Sequence, residues 1–511
     1  MRLLKLSING EYRSLSDFSW EFRGSPVDFD KMEPVCLVGL NGSGKSNLIE
    51  ALSEIFCFLD LSCLEYVSDS KTRKIAPPPF MVEYYLASLD DSGPTHVRIR
   101  YTDKKKLVVC KEVDGDFVSI DDKAAWRDFL PDRIVGYSSG HNETVSIPYL
   151  RNQSLYSVEV THQAISKKGD KDKLIEHTSS IYMDYDSNAS ILLSNYLFPE
   201  KEKLAVFEKF LRVSDMASFS VVLNLKPRSS VVKLTSELEE IIEKLKRCAF
   251  SVTNVNKNES VLNFIVNEAS KAAFKKNFLN SSEFYMSMYK LSLLNSLSLS
   301  KKEREFYLRS DLKNGLLERP PSVSGKDKVF SVKDLRLTIS EPEKEVDYSG
   351  ISDGEHQFIH IFGTLMLFSD KNCLYLLDEP ESHFNPLWRA EFIRIMAGIE
   401  STSSQDFVIS THSPFLVSAA HSDNVIKFSR RDGVINPQEL DFQCFGSSFE
   451  YLLAKLFDLN TPIAAQALEE LKLVSKSDNL EEVRLSISKF GESLEKRFLH
   501  QRIAELEARE R

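Results

Sequence analysis

The chain has no cysteine framework, no membrane-length apolar run and no basic excess, and each absence removes a class of protein. Its seven cysteines are an odd number without a CxxC pair, which fits a reducing cytosol rather than a disulfide scaffold. No signal peptide is expected, and the expected location is cytoplasmic. The most apolar stretch, Leu48 to Leu64, is broken by Glu50, Glu54 and Asp60, so no membrane association is expected. A net charge of −10 is the wrong sign for a chain that coats nucleic acid by itself, although a local basic groove is allowed. No internal repeat stands out. The ten histidines are scattered, with no HNH-like cluster and no Ser-His-Asp arrangement, and His141 near Glu143 reads as a polar contact rather than a metal ligand. What remains is 511 residues with 42% hydrophobic content, enough to bury large cores in two or three lobes.

What is present is a phosphate loop in its proper context. Gly39-Leu40-Asn41-Gly42-Ser43-Gly44-Lys45-Ser46 matches G-x-x-x-x-G-K-[ST], the Walker A pattern. The apolar run Pro34 to Val38 before it reads as a buried parallel strand, and Asn47 to Leu52 after it reads as a helix. Backbone N–H groups of such a loop wrap phosphates, and the helix N-terminus adds partial positive charge. Lys45 is expected to reach the β- and γ-phosphates, and the Ser46 hydroxyl to bind Mg²⁺. Gly39, Asn41, Gly42, Ser43, Gly44, Lys45, Ser46 and Asn47 form the expected ATP-binding set.

Three later motifs say what kind of nucleotide site this is. Cys373 to Leu377 is an apolar run ending in Asp378-Glu379-Pro380, which reads as a Walker B strand buried on both faces. Asp378 would hold the metal shell, and Glu379 would orient or deprotonate the attacking water. Phe407 to Ser410 is another strand, delivering His412 at the edge where ligands bind in open α/β sheets, placed to sense a γ-phosphate. Ser349-Gly350-Ile351-Ser352-Asp353-Gly354-Glu355-His356-Gln357 reads as a serine-capped helix start. That last segment resembles the LSGGQ signature of ABC-type ATPases, in the form common in the RecF, SMC and OLD-like branch. The resemblance implies that Ser352 and Gly354 act in trans, on ATP held by a second copy. Glu381 to Pro386 is similar to the family's dimer-contact D-loop. Leu3 to Leu15 resembles the opening of such heads. The family's Q-loop glutamine is not obvious; Gln153 and Gln163 are the upstream candidates.

Organisation follows from the spacing. About 300 residues separate Ser46 from Ile351, more than one compact domain. They carry only short amphipathic pieces, the clearest being Leu234 to Cys248 with Ser236 and Glu239 as a capping box. Phe80 to Ile120 reads as antiparallel strands with an Asp114-Gly115 turn, Lys167 to Lys173 as an exposed loop, and Val255 to Leu299 as mostly helical. The expected fold is α/β: an ABC-type ATPase head, with a mixed or parallel sheet, helices and an antiparallel lobe, interrupted by a large α+β insert with a short helical arm. The expected divisions are 1–135 (Walker A half and antiparallel lobe), 136–335 (insert), 336–440 (signature, Walker B, D-loop and histidine strand) and 441–511 (a helical region for partner or self-association).

Two further segments, Leu130 to Glu143 and Ile181 to Asn188, together with Phe445 to Leu453, resemble PtuA ATPase subunits of Septu and retron-associated antiphage systems. That resemblance implies an ATPase that forms a homodimer or higher homo-oligomer and works with a separate HNH nuclease of PtuB type, with nucleic acid contacted through the complex. About 100 residues follow His412, scarcely one small domain, and they contain no Asp-x-Asp in a strand context of the kind a TOPRIM nuclease needs. Phe490, Leu494, Phe498, Leu499, Ile503 and Leu506 there mark a terminal amphipathic helix. ATP hydrolysis, with ATP and Mg²⁺, is the one chemistry supported. The alternatives are a RecF- or SMC-like repair ATPase that binds DNA directly, and an ATP-bound scaffold that holds an effector silent.

Overall fold

Apolar runs that do not alternate need cover on both faces, and here they become the middle of a parallel sheet. Val35–Val38, Cys373–Asp378 and Asp406–Ser410 are buried at every position. They belong to a seven-stranded sheet in the order Ser180–Tyr182, Arg133–Ser138, Cys373–Asp378, Asp406–Ser410, Val35–Val38, Val425–Arg431 and Val434–Gln438. Every neighbouring pair is parallel except the last. The Walker A, Walker B and histidine strands therefore end on one edge. The computed structural model describes all residues except 25–28, 30, 68–74, 89–92, 140–142, 167–173, 229–230, 309–320, 341–342, 370, 400–403, 432, 460–462 and 511. His141 and the loop Lys167 to Lys173 lie outside the described residues.

The helix after the phosphate loop, Lys45–Cys63, explains the carboxylates that interrupt its apolar sequence. It is buried along nearly its whole length. Glu50 receives Arg13 at 2.7 Å, Glu54 receives Arg151 at 2.7 Å, and Asp60 receives Arg127 together with the backbone N–H groups of Ser179 and Ser180. Each pair ties the helix to a different element: the hairpin at 11–16, the long helix Glu143–Ile165, and the short helix Lys123–Phe129. A carboxylate buried here without its partner would cost several kcal/mol, on the order of 3–5.

A six-stranded antiparallel sheet runs Ser19–Glu21, Arg2–Ile8, Phe80–Leu86, Thr95–Tyr101, Leu107–Val113 and Asp116–Ser119. Its last hairpin turns at Asp114 and Gly115, with φ of 54° and 89°, the doubly left-handed geometry that an Asp-Gly pair tolerates. The expected α/β class, a parallel-sheet head with an antiparallel lobe, is the observed one.

The boundaries expected from sequence need correction. The division at 135/136 cuts the strand Arg133–Ser138, and Ser180–Tyr182, within the expected insert, also joins the central sheet. The segment does not have a core of its own: Phe219, Phe264 and Phe274 belong to the same buried cluster as Phe358, Phe362 and Phe392. Met1–Ser447 forms one compact unit and Ser448–Arg511 another. Val255 to Leu299 is not mostly helical at its start. Ser251–Asn256 and Glu259–Ile265 form a hairpin in a five-stranded antiparallel sheet, closed by an Asx turn in which Asn258 N–H donates to Asn256 Oδ1 at 2.9 Å. The helix Ser236–Cys248 takes Thr235 as its N-cap, one residue earlier than expected, and buries the predicted stripe of Leu238, Ile241, Leu245 and Cys248.

The second unit consists of the helices Phe449–Phe457, Ala465–Ser475, Leu480–Ile487 and Lys496–Glu510. Leu471, Leu480, Val483, Leu499 and Leu506 form its core. Leu494 and Phe498 of the expected terminal stripe are exposed. Among the described residues no helix is long and apolar enough to cross a membrane.

Candidate nucleotide site

The loop 39–44 is built on glycine for steric reasons. Gly39 has φ +140°, and a Cβ there would run into the Phe428 carbonyl. Gly44 has φ +104°, and a Cβ there would strike the side chain of Ile435. The turn ends with Lys45 as the first residue of its helix. Lys45 Nζ donates to the carbonyls of Gly39 at 3.0 Å and Leu40 at 3.2 Å, and to His412 Nε2 at 3.0 Å. Burial pulls the ammonium pKa below its ordinary value, and Glu379 and Asp378 act the other way. The Ser43 hydroxyl is buried without a partner among the described residues, an orphaned donor inside a loop of the shape that receives phosphate.

The Walker B carboxylate is fixed by hydroxyls from three other segments. Ser46 Oγ donates to Asp378 Oδ1 at 2.9 Å, Ser410 Oγ donates to the same oxygen, and Ser138 Oγ donates to Oδ2 at 3.4 Å. An all-oxygen set with one carboxylate suits Mg²⁺, which dehydrates reluctantly and shares its shell with substrate phosphates. Among the described residues no group of three or more His, Cys, Asp or Glu could hold a metal, so any ion here would draw on the one carboxylate, Asp378, together with hydroxyl and phosphate oxygens.

Glu379 is the one backbone outlier of the site. Its φ is +50°, costly for a residue with a Cβ, and its N–H is held by Ser410 O at 3.1 Å and Ser410 Oγ at 3.2 Å. Burial, then the neighbouring Asp378, raise its pKa, while Lys45 opposes them. A raised carboxyl is a stronger base. Its Oε1 lies 3.6 Å from His412 Nε2. Burial, reinforced by Lys45, lowers the His412 pKa to about 4, so the imidazole is neutral at neutral pH and accepts from the lysine.

Lys45, Ser46, Asp378, Glu379 and His412, spread across the sequence, thus meet at one sheet edge. Asn47 does not join them. Two residues round the helix from Lys45, its side chain turns away and donates to Ser14 Oγ. Ser352 and Gly354 make their contacts elsewhere. Ser352 caps the helix Asp353–Phe358 in a full capping box with Glu355. A Cβ on Gly354 would come within 2.8 Å of the His383 carbonyl, so the glycine lets the signature helix lie against the turn after Walker B. Gln357 closes that contact, accepting from His383 N–H at 3.0 Å. Gln153 donates to Tyr289 OH at 3.2 Å from inside the helix Glu143–Ile165, and Gln163 lies on the same helix. Neither sits at a strand end; the strand beside Walker B delivers Ser138 instead. Residue type and spacing do not mark Ser138 and Ser410 as site residues, although Ser138 ends an apolar run bounded by Pro131.

The chain is similar over residues 178–418 to the family described as "AAA domain, putative AbiEii toxin, Type IV TA system". That stretch holds Ser352, Asp378, Glu379 and His412 and leaves out Lys45. No curated protein matches. Among the solved structures that are similar at low identity are two SMC heads. One is an SMC head bound to the C-terminal winged-helix domain of ScpA, 13% identical, covering 86% of this chain and 98% of that one at a TM-score of 0.36. The other is the SMC head domain from Thermotoga maritima, 12% identical, covering 86% and 100% at a TM-score of 0.33. Likeness this distant carries no argument about function.

Proposed function

We propose that this chain is an ATP-binding and hydrolysing subunit of a bacterial antiphage defence complex, cytoplasmic, whose ATPase state controls a separate HNH-type nuclease. The convergence of Lys45, Ser46, Asp378, Glu379 and His412 at one sheet edge carries the ATPase part of this reading. The loop backbone and Lys45 bind the phosphates. Ser46 and Asp378, with Ser138 and Ser410 behind them, would hold a Mg²⁺ ion, which when bound would neutralise charge on the phosphates. Glu379 takes the proton of the attacking water; when Lys45 turns from His412 Nε2 to the phosphates, that nitrogen of the neutral ring takes the N–H tautomer, donates toward the γ-phosphate and registers its loss. Ser352 and Gly354 close over ATP held by a second copy, so that nucleotide biases assembly through contacts made in one state only.

The nuclease partner rests on the sequence resemblance to PtuA subunits. The test is the native mass of this chain, co-purified with the product of its neighbouring reading frame, with and without ATP. A hetero-complex with nuclease activity that the ATPase alone lacks supports the proposal. A lone ATP-dependent dimer that binds DNA in a salt-sensitive way favours the repair-type ATPase instead.

A further inference from the structure

The turn after the Walker B strand contains a carboxyl that the hydrolytic scheme does not use. Glu381 is 3% exposed, and Thr411 Oγ1 donates to its Oε1. Its other oxygen, Oε2, is buried without a hydrogen-bond partner among the described residues. A half-satisfied acid in the interior costs stability, so its presence beside the site calls for a role. Arg389 grips the backbone around it, donating to the carbonyls of Glu381 at 3.2 Å and Ser382 at 2.9 Å. The charged or titratable groups facing it are Glu379, Arg389, Tyr137 and Cys36.

Thr411 is the residue before His412, and its contacts bracket the histidine. Thr411 N–H donates to Leu37 O at 3.0 Å, at the end of the Walker A strand. Its hydroxyl accepts from Ser413 N–H at 2.9 Å while donating to Glu381. The backbone on both sides of His412 is thereby tied, through one hydroxyl, to one carboxyl.

We infer that Glu381 is a positioning residue: its carboxyl fixes Thr411 and, through it, aims the His412 imidazole at Lys45 and the γ-phosphate. The inference rests on the nucleotide-site reading above. An oxygen acceptor is what the geometry requires, so glutamine should serve and an apolar side chain of similar size should not.

The readout is the ratio of ATPγS to ADP affinity in the full-length chain, which reports the γ-phosphate contact and needs no turnover. Glu381→Leu should lower that ratio about tenfold, the scale of one lost charge-assisted hydrogen bond. Thr411→Val, which removes the hydroxyl from the other side, should do the same, while Glu381→Gln should stay close to wild type. His412→Ala should lower the ratio equally, and adding Glu381→Leu to it should lower the ratio no further. Additive losses, or an unchanged ratio in both the Glu381→Leu and Thr411→Val proteins, would overturn the inference while leaving the nucleotide site intact. A wild-type chain that binds neither nucleotide would overturn the site reading, and the inference with it.

Discussion

Replacing Lys45 by methionine separates nucleotide binding from folding more cleanly than any other single change. The stem is kept and the ammonium removed. In the folded chain that ammonium makes three bonds, to Gly39 O, Leu40 O and His412 Nε2, but burial already depresses its pKa. Lost hydrogen bonds and relieved burial therefore offset each other. Leu40 is 48% exposed, so water can take over its carbonyl. The net stability change should stay within about 1 kcal/mol. Nucleotide binding has no such compensation. A charged donor to phosphate contributes about 1.5–3 kcal/mol, and one reaching both β- and γ-phosphates about twice that. At ~1.4 kcal/mol per tenfold, Lys45→Met should weaken Mg-ATP binding by ~10²–10⁴. Calorimetric titration with ATP, alongside a melting curve, measures both quantities. A Lys45→Met protein of unchanged Tm that binds ATP within threefold of wild type would refute the assignment of the phosphate loop.

The remaining predictions concern the scaffold around the loop. Arg151→Ala should destabilise the chain by ~3–5 kcal/mol, because Glu54 is left buried and unpaired; denaturant unfolding reads this directly, and a loss under 1 kcal/mol would mean that Glu54 finds another partner. Gly44→Ala places a Cβ against Ile435 at a left-handed φ, and should cost about 1–3 kcal/mol and abolish ATP binding. His360 is buried, its pKa lowered to about 4 chiefly by that burial. The unfolded chain therefore binds more protons between pH 6.5 and 4, so this contribution to stability is complete above 6.5 and is lost as pH falls toward 4. Wild type should lose more Tm across that window than His360→Gln, and parallel curves would remove His360 from the account.

The parts of the site that were legible in the sequence are those whose chemistry is local. Loop 39–46 declares itself by residue type and spacing, and Asp378, Glu379 and His412 each end an apolar run that only a buried strand explains. Parallel packing then carries all three to one edge. Ser138 was not legible, because a serine at a strand end acquires meaning only when that strand pairs with Cys373–Asp378. Asn47 reads as part of a helix and lies in one, but the turn of its side chain toward Ser14 depends on how the hairpin at 11–16 folds against that helix. Glu381 read as an element of a dimer-contact turn; its burial against Thr411 depends on how two loops fold together. The hairpin at 251–265 was hidden because its outer strand is almost wholly exposed and shows no clean alternation. The division at 135/136 failed for a related reason, since a strand's place in a sheet is set by its partners.

The central claim is that Glu379 activates water at a phosphate site formed by Lys45, Ser46, Asp378 and His412. The most direct measurement is steady-state ATP hydrolysis by wild type and Glu379→Gln, with Mg-ATP affinity determined on the same preparations. The account predicts that Glu379→Gln binds Mg-ATP within a few-fold of wild type and hydrolyses it about 10²-fold or more slowly. Equal hydrolysis rates in the two proteins, or no ATP binding by either, would contradict it.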